Sequence, residues 1–439
     1  MVKTFRSFVC KSFLPGLASI ALLSGCALVP SLQRPVLTGD RAFIAYWHPA
    51  GTNNQLRLAV KDNIDMKGVV STAGSKRLAM NRPPAEQDAL CLAIARQRNV
   101  QFVGKANLSE FAVAPSGFNA YFGTPRSPLR NSRKLLPGGS SCGSAVAVAS
   151  GMADVAFGTD TAGSIRVPAA WCGVVGLKTT HGLVPLQGVL PIEPQHLDTV
   201  GPMGKDIAHT VQGMDLLQDG FAALYAAAVA AKPSAQQIRI GRLRLKGTDS
   251  RIDQAVDEAL ARTGFQVVPL DEGVLKEWEQ AKKDGNAIAA AGVWITDKEF
   301  LFGPGVSART KSAIRLGRIA YRTSYDEAVA RQANWQNTLI EIFKKVDFIA
   351  LPTVQAPPKP IPMFRIGIME ARMLDLQNTV AVNFAGNPAL ALPIPLHDSE
   401  VPVTSLQLIG PRLGEAQLLN AGRLVEAAVK NKGANLARP

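Results

Sequence analysis

The chain is poor in the residues that hold metals or titrate near neutrality. It has five cysteines and five histidines in 439 residues. No C-x-x-C pair and no His-rich spacing occurs, so no metal centre is expected. Cys10 falls inside a basic and apolar leader, and Cys26 at the end of it. The remaining Cys91, Cys142 and Cys172 are odd in number, which excludes a full disulfide framework. One pair, Cys142 with Cys172 for example, could still close in an oxidising compartment. Acidic residues are scarce too: 34 against 48 basic ones, a formal net charge of +14. A nucleic-acid binder of that charge would cluster Lys and Arg and interleave aromatics. Here aromatics are 6% of the chain, and the basic clusters are as short as Lys282-Lys283, Lys344-Lys345 and Arg130 to Lys134. The excess reads as a solvated surface, with no nucleic-acid partner. Fixed-period repeats and low-complexity tracts are absent.

Long apolar runs are also missing. The stretch Ser12 to Gly25, interrupted by Pro15 and Gly16, falls short of the ~20 apolar residues a spanning helix needs. It follows the positive Lys3, Arg6 and Lys11 and ends in small residues, the layout of a secretory signal. Leu23-Ser24-Gly25-Cys26 resembles the bacterial lipobox, in which the cysteine is acylated and becomes the mature N-terminus. Residues 1–25 are therefore read as a lipoprotein signal peptide and 26–52 as a tether into the folded domain. The expected location is the cell envelope, lipid-anchored through Cys26. Ala27, rather than Asp, after the cysteine favours the periplasmic side of the outer membrane.

What is plentiful is material for a core. The chain is 47% hydrophobic, with 38 glycines and 29 prolines to turn it. Leu56 to Val60 reads as a buried strand ending at Lys61-Asp62-Asn63. Ala89 to Arg98 has helical spacing, and Phe102-Val103-Gly104 reads as the next strand. The glycine-rich turn Pro137 to Gly143 leads into a small-residue helix, Ser144 to Ser150. Asp154 to Gly158 is then a strand running into Thr159 to Ser164. Helices alternating with buried strands imply an α/β body with a mixed central sheet. Residues 205–345 are richer in charge, alanine and helical pattern. Strand character resumes at Phe348 to Leu351, further buried elements follow at Val380 to Pro393 and Ser405 to Gly410, and Gly414 to Val429 reads as an amphipathic helix.

The glycine-rich turn lacks the lysine that a phosphate-binding loop places after its second glycine. No G-x-S-x-G elbow surrounds Ser140 or Ser164, which disfavours a Ser-His-Asp enzyme. The combination of segments is more informative. Gly138-Gly139-Ser140-Ser141-Cys142-Gly143-Ser144-Ala145 is followed, 24 residues after Ser140, by Ser164 within Gly158-Thr159-Asp160-Thr161-Ala162-Gly163-Ser164-Ile165-Arg166-Val167-Pro168-Ala169. Upstream lies Val60-Lys61-Asp62-Asn63. This set resembles the amidase signature family, as do Gly104 to Phe111, Gly173 to Lys178, Asp198 to Met203, Gly386 to Ala389 and Leu406 to Pro411.

The resemblance implies a single-domain α/β fold over 53–430, a mixed sheet with helices on both faces. The divergent, mainly helical 210–345 would help wall the pocket. It also implies hydrolysis of a linear amide without a cofactor. Ser164 would be the nucleophile, Ser140 the bridging serine after a cis peptide bond, and Lys61 the base. Backbone N–H groups of Thr161, Ala162, Gly163 and Ser164 would form the oxyanion hole, with Ser141, Asp160 and Arg166 supporting. The roles make physical sense. A serine hydroxyl is a poor nucleophile until a neighbour takes its proton. A lysine does this only when neutral, and burial lowers its pKa. Ala162 stands where many members have glycine, and Cys142 where glycine or serine is usual. The family's glutamine-dependent transamidase component works in the cytoplasm with tRNA and partners, which the export signal argues against. A non-catalytic binding protein on the same scaffold is the alternative from another class. Trp278, Trp294, Phe300 and Trp335 could line an apolar pocket or fill the core.

Overall fold

The computed structural model describes residues 41–49, 55–130, 134–232, 234–362, 378–398 and 400–430. Among these, short apolar runs bounded by glycine and polar turns form one mixed sheet of eleven strands. They are β1 (Phe43–Tyr46), β2 (Arg57–Lys61), β3 (Gln101–Ala106), β4 (Val155–Asp160), β5 (Val175–Lys178), β6 (Thr199–Gly204), β7 (Arg239–Arg242), β8 (Gln266–Pro269), β9 (Phe348–Pro352), β10 (Ala389–Pro395) and β11 (Val403–Ile409). The spatial order is β1-β3-β2-β4-β6-β5-β10-β11-β9-β7-β8. β2 runs parallel to both β3 and β4, whereas β4 through β9 pair antiparallel along the centre.

Side-chain alternation sorts the sheet into two apolar faces. Leu58, Val60, Val155, Phe157, Leu390 and Leu392 pack on one side. That face is covered by helices Ile207–Asp215, Ser250–Thr263 and Glu415–Lys430. Ala59, Ala156 and Ala391 point to the other, beneath helices Cys142–Ala149 and Arg166–Cys172. Alanines on this face let those two helices lie close. The fold is thus the expected α/β arrangement with helices on both faces. Residues 35–439 cluster as one unit with its own cores, as an independently folding body does.

Two elements add detail to the sequence reading. The stretch 26–52, read as a tether and entry segment into the domain, contains β1, whose Phe43 and Tyr46 pair antiparallel with β3 at the sheet edge. The region 210–345 is mainly helical, with helices Glu272–Asp297, Ala308–Thr323 and Tyr325–Phe343, yet it also supplies β7 and β8. β7 reads Arg-Ile-Gly-Arg and β8 is exposed throughout, so neither shows a strand's apolar alternation. Trp278 and Trp335 are buried and meet edge to face at 5.9 Å, so these two fill the core.

Gly143 shows how tightly helix Cys142–Ala149 is seated. A Cβ there would lie 2.2 Å from the Ala42 carbonyl oxygen and 2.3 Å from the Asn107 nitrogen. Gly143→Ala is expected to cost about 1–3 kcal/mol through overpacking, read as a lower urea midpoint at unchanged slope.

Candidate active site

Lys61 is the last residue of β2 and shares the alternation of Ala59, so it faces the helix that begins at Cys142. The turn before that helix carries Ser140, and the Gly139–Ser140 peptide bond is cis. Gly158 on the neighbouring β4 leaves room for the turn: a Cβ there would sit 2.9 Å from Ser141 Oγ. Lys61 Nζ donates to Ser140 Oγ at 2.8 Å and to Thr159 Oγ1 at 2.7 Å. Thr159 Oγ1 also accepts from Asn63 Nδ2 at 3.2 Å, and the Thr159 carbonyl accepts from Ser141 Oγ at 3.2 Å. Lys61 and Ser140 are fully buried.

Burial pulls the Lys61 ammonium down from 10.5 to about 7, opposed by the charges of Asp160 and Asp198. Two other lysines are equally buried, and their partners separate them from Lys61. Lys105 has the Asp62 carboxylate at 3.4 Å and donates to Ser71 Oγ. Lys178, also brought to about 7 by burial and by the charge of Arg166, donates to the carbonyls of Thr179 and Asn387. Lys61 alone of the three joins a serine hydroxyl without a carboxylate beside it.

Ser164 ends the turn between β4 and helix Arg166–Cys172, with its side chain half-buried. The Ser141 N–H donates to its carbonyl at 3.1 Å, which ties the two serine-bearing turns together. Asp160 shapes the loop. Its carboxylate accepts from the N–H groups of Gly163 at 2.8 Å and Ile165 at 3.0 Å. Gly163 holds φ +131°, a conformation suited to glycine. The Gly163 N–H is therefore committed to Asp160. Among the described residues, the N–H groups of Thr161, Ala162 and Ser164 have no protein acceptor. This narrows the donor set expected from the sequence.

Arg166 and Asp160 form a fully buried ion pair, Nη2 to Oδ1 at 2.9 Å and Nε to Oδ2 at 3.1 Å. Burial alone would raise the Asp160 carboxyl; Arg166, Lys178 and Asn383 outweigh it and hold the group well below the usual carboxylate range. The rest of the guanidinium is met by the Thr379 carbonyl, Gln407 Oε1 at 2.8 Å and Asn383 Oδ1. Asp198 accepts from Thr161 Oγ1 at 2.6 Å and from the N–H groups of Ile192 and Glu193. Thr159, Asp198, Thr379, Asn383 and Gln407 thus brace the site. Thr159, Asp198 and Gln407 lie inside segments carrying the resemblance; Thr379 and Asn383 give no signal, being single polar residues outside every such segment.

Cys91, Cys142 and Cys172 are all free and buried. The Cys142 thiol donates to the Asn107 carbonyl and is pushed up to about 12 by burial. Cys172 donates instead to the Pro137 carbonyl, so the Cys142–Cys172 bridge is not formed.

A buried lysine, two serines on adjoining turns and unengaged backbone N–H groups thus meet at one end of β2 and β4. The chain belongs to the amidase family, whose profile matches residues 55–419. It is 34% identical over 407 residues to the 2-amino-5-chloromuconic acid deaminase of Comamonas testosteroni, covering 88% of this chain and 84% of that one. It is 32% identical over 418 residues to a glutamyl-tRNA(Gln) amidotransferase component from Natronomonas pharaonis, covering 85% and 95%. The crystal structure of the corresponding amidotransferase component from Thermotoga maritima superposes with a TM-score of 0.74 at 25% identity, covering 90% of this chain and 88% of the other.

Proposed function

We propose that the protein hydrolyses a linear carboxylic amide to the carboxylate plus ammonia or an amine, through a Ser164 acyl-enzyme. The observation that carries this is the buried Lys61, brought to about 7 and 2.8 Å from Ser140 Oγ with no carboxylate partner. Neutral Lys61 takes the Ser140 proton as Ser140 takes that of Ser164, and Ser164 attacks the carbonyl carbon. The N–H groups of Thr161, Ala162 and Ser164 face the oxyanion. Lys61, now protonated, returns the proton through Ser140 to the leaving nitrogen. Water then attacks the ester by the same route, releasing the acid. Relatives that include both a deaminase and amidotransferase components support C–N bond chemistry on this scaffold. The leader also favours the hydrolase: with residues 1–25 read as a signal and Cys26 as the lipid attachment point, the protein would work in the envelope, away from tRNA. Both features lie outside the described residues. The binding-protein alternative loses ground because Lys61, Ser140 and Ser164 are all present.

The test is ammonia release by residues 35–439 over a panel of primary amides, beside Lys61→Ala. Activity that the variant loses supports the reading; silence across the panel, with no labelling by a serine-reactive probe, sinks it. The pH profile follows from the sign of the Lys61 shift. The base must be neutral, so kcat/KM is expected to fall as pH drops through about 7 and to level off above it. A profile flat from pH 6 to 8 would remove Lys61 from the base role.

A further inference from the structure

Helix Ala308–Thr323 carries Arg309, Lys311, Arg315, Arg318 and Arg322 and no acidic residue. Its inward face is fixed by the buried Thr310, Ile314 and Gly317. A Cβ at Gly317 would approach the Ala290 carbonyl oxygen of helix Glu272–Asp297 to 2.3 Å, so the two helices touch backbone to backbone. The opposite face is therefore held toward solvent, and it is apolar at its centre. Leu316 is 64% and Ile319 59% exposed, adjacent at i, i+3. Arg315, Arg318 and Arg322 flank them, all exposed and, among the described residues, without a carboxylate partner. Arg318 instead lies over the Trp294 ring at 5.4 Å. Phe302, 78% exposed, precedes Gly303, whose carbonyl accepts from Lys311 Nζ at 2.6 Å. An exposed phenyl ring thus sits next in sequence to a backbone group that this helix holds through Lys311. Exposed Glu299 and, beyond the C-terminus, Asp326 and Glu327 bound the patch.

We propose that this helix docks the protein flat on an anionic phospholipid bilayer. Leu316, Ile319 and Phe302 would enter the headgroup layer, and the flanking arginines would meet lipid phosphates. A row of arginines alone would suit any polyanion. A nucleic-acid backbone, however, offers no partner for two aliphatic side chains held out in water, whereas the acyl boundary of a bilayer does. Among the described residues no helix is long and apolar enough to cross a membrane, so the contact is peripheral. The surface lies within the described residues and does not depend on the anchor read at Cys26.

The experiment is co-sedimentation of residues 35–439 with vesicles of mixed phosphatidylcholine and phosphatidylglycerol, beside pure phosphatidylcholine vesicles. The folded body is expected to pellet with the mixed vesicles, to stay in solution with the neutral ones, and to be released by salt. Leu316→Ser/Ile319→Ser and Arg315→Gln/Arg318→Gln/Arg322→Gln are each expected to weaken binding at least ~10-fold while melting as the parent does. Failure to bind the mixed vesicles overturns the proposal, and so does equal binding by both variants. Release of the protein from the vesicles by a short RNA at matched phosphate concentration would assign the patch to nucleic acid instead.

Discussion

Ser164→Ala is expected to lower amide hydrolysis by at least ~10⁴-fold and to abolish labelling by a serine-reactive probe, with no loss of stability. Its side chain is half-buried and makes no hydrogen bond among the described residues, so truncation removes no structural contact. The residual rate would come from the backbone N–H groups and from binding, which the substitution leaves in place. Ser140→Ala tests the relay separately. Ser140 accepts from Lys61 in the fully buried interior, so this variant is expected to lose activity and also to leave Lys61 with one acceptor fewer. Retained activity in Ser164→Ala, on a substrate the wild type turns over, would assign the nucleophile elsewhere.

Asp160→Asn is expected to be the most destabilising polar substitution in the molecule, by about 3–5 kcal/mol. The change is nearly isosteric, so packing is preserved and the cost is electrostatic. It leaves the Arg166 guanidinium fully buried with its charge uncompensated, facing one backbone carbonyl and two side-chain amides. The loop N–H groups of Gly163 and Ile165 also lose a charged acceptor. Urea unfolding measures the loss. Adding Arg166→Met to Asp160→Asn is expected to recover part of it, because the orphaned charge goes with its partner. An additive double variant would show that the two residues are not coupled.

The main strands are legible because they are short apolar runs that end in functional residues, as Leu58 to Val60 ends at Lys61. The positions of Lys61, Ser140 and Ser164 are legible from the resemblance of the segments that carry them. The structure brings Lys61 to Ser140, and it brings the turn holding Ser164 against Ser141. β7 and β8 are hidden because arginine and glycine interrupt one and water faces the other. Thr159 is visible only as part of a motif; its contact with Lys61 arises from register across β2 and β4. The commitment of the Gly163 N–H to Asp160 leaves no trace in the sequence. It depends on how the loop folds back on its own carboxylate. Asn383 is invisible for a plainer reason, and Gln407 shows only as part of a motif: both meet Arg166 across more than two hundred residues of chain, and nothing local announces that meeting.

That last contact sets a timetable for making the protein. Lys61, Ser140 and Ser164 are all translated early, but the guanidinium that steadies their loop finds its acceptors on Thr379, Asn383 and Gln407. A nascent chain that has released only its first two hundred residues holds the three groups proposed to react and none of those acceptors. The centre therefore assembles after nearly the whole polypeptide has left the ribosome. A chain in that state leaves the buried Arg166 guanidinium with Asp160 as its one side-chain partner.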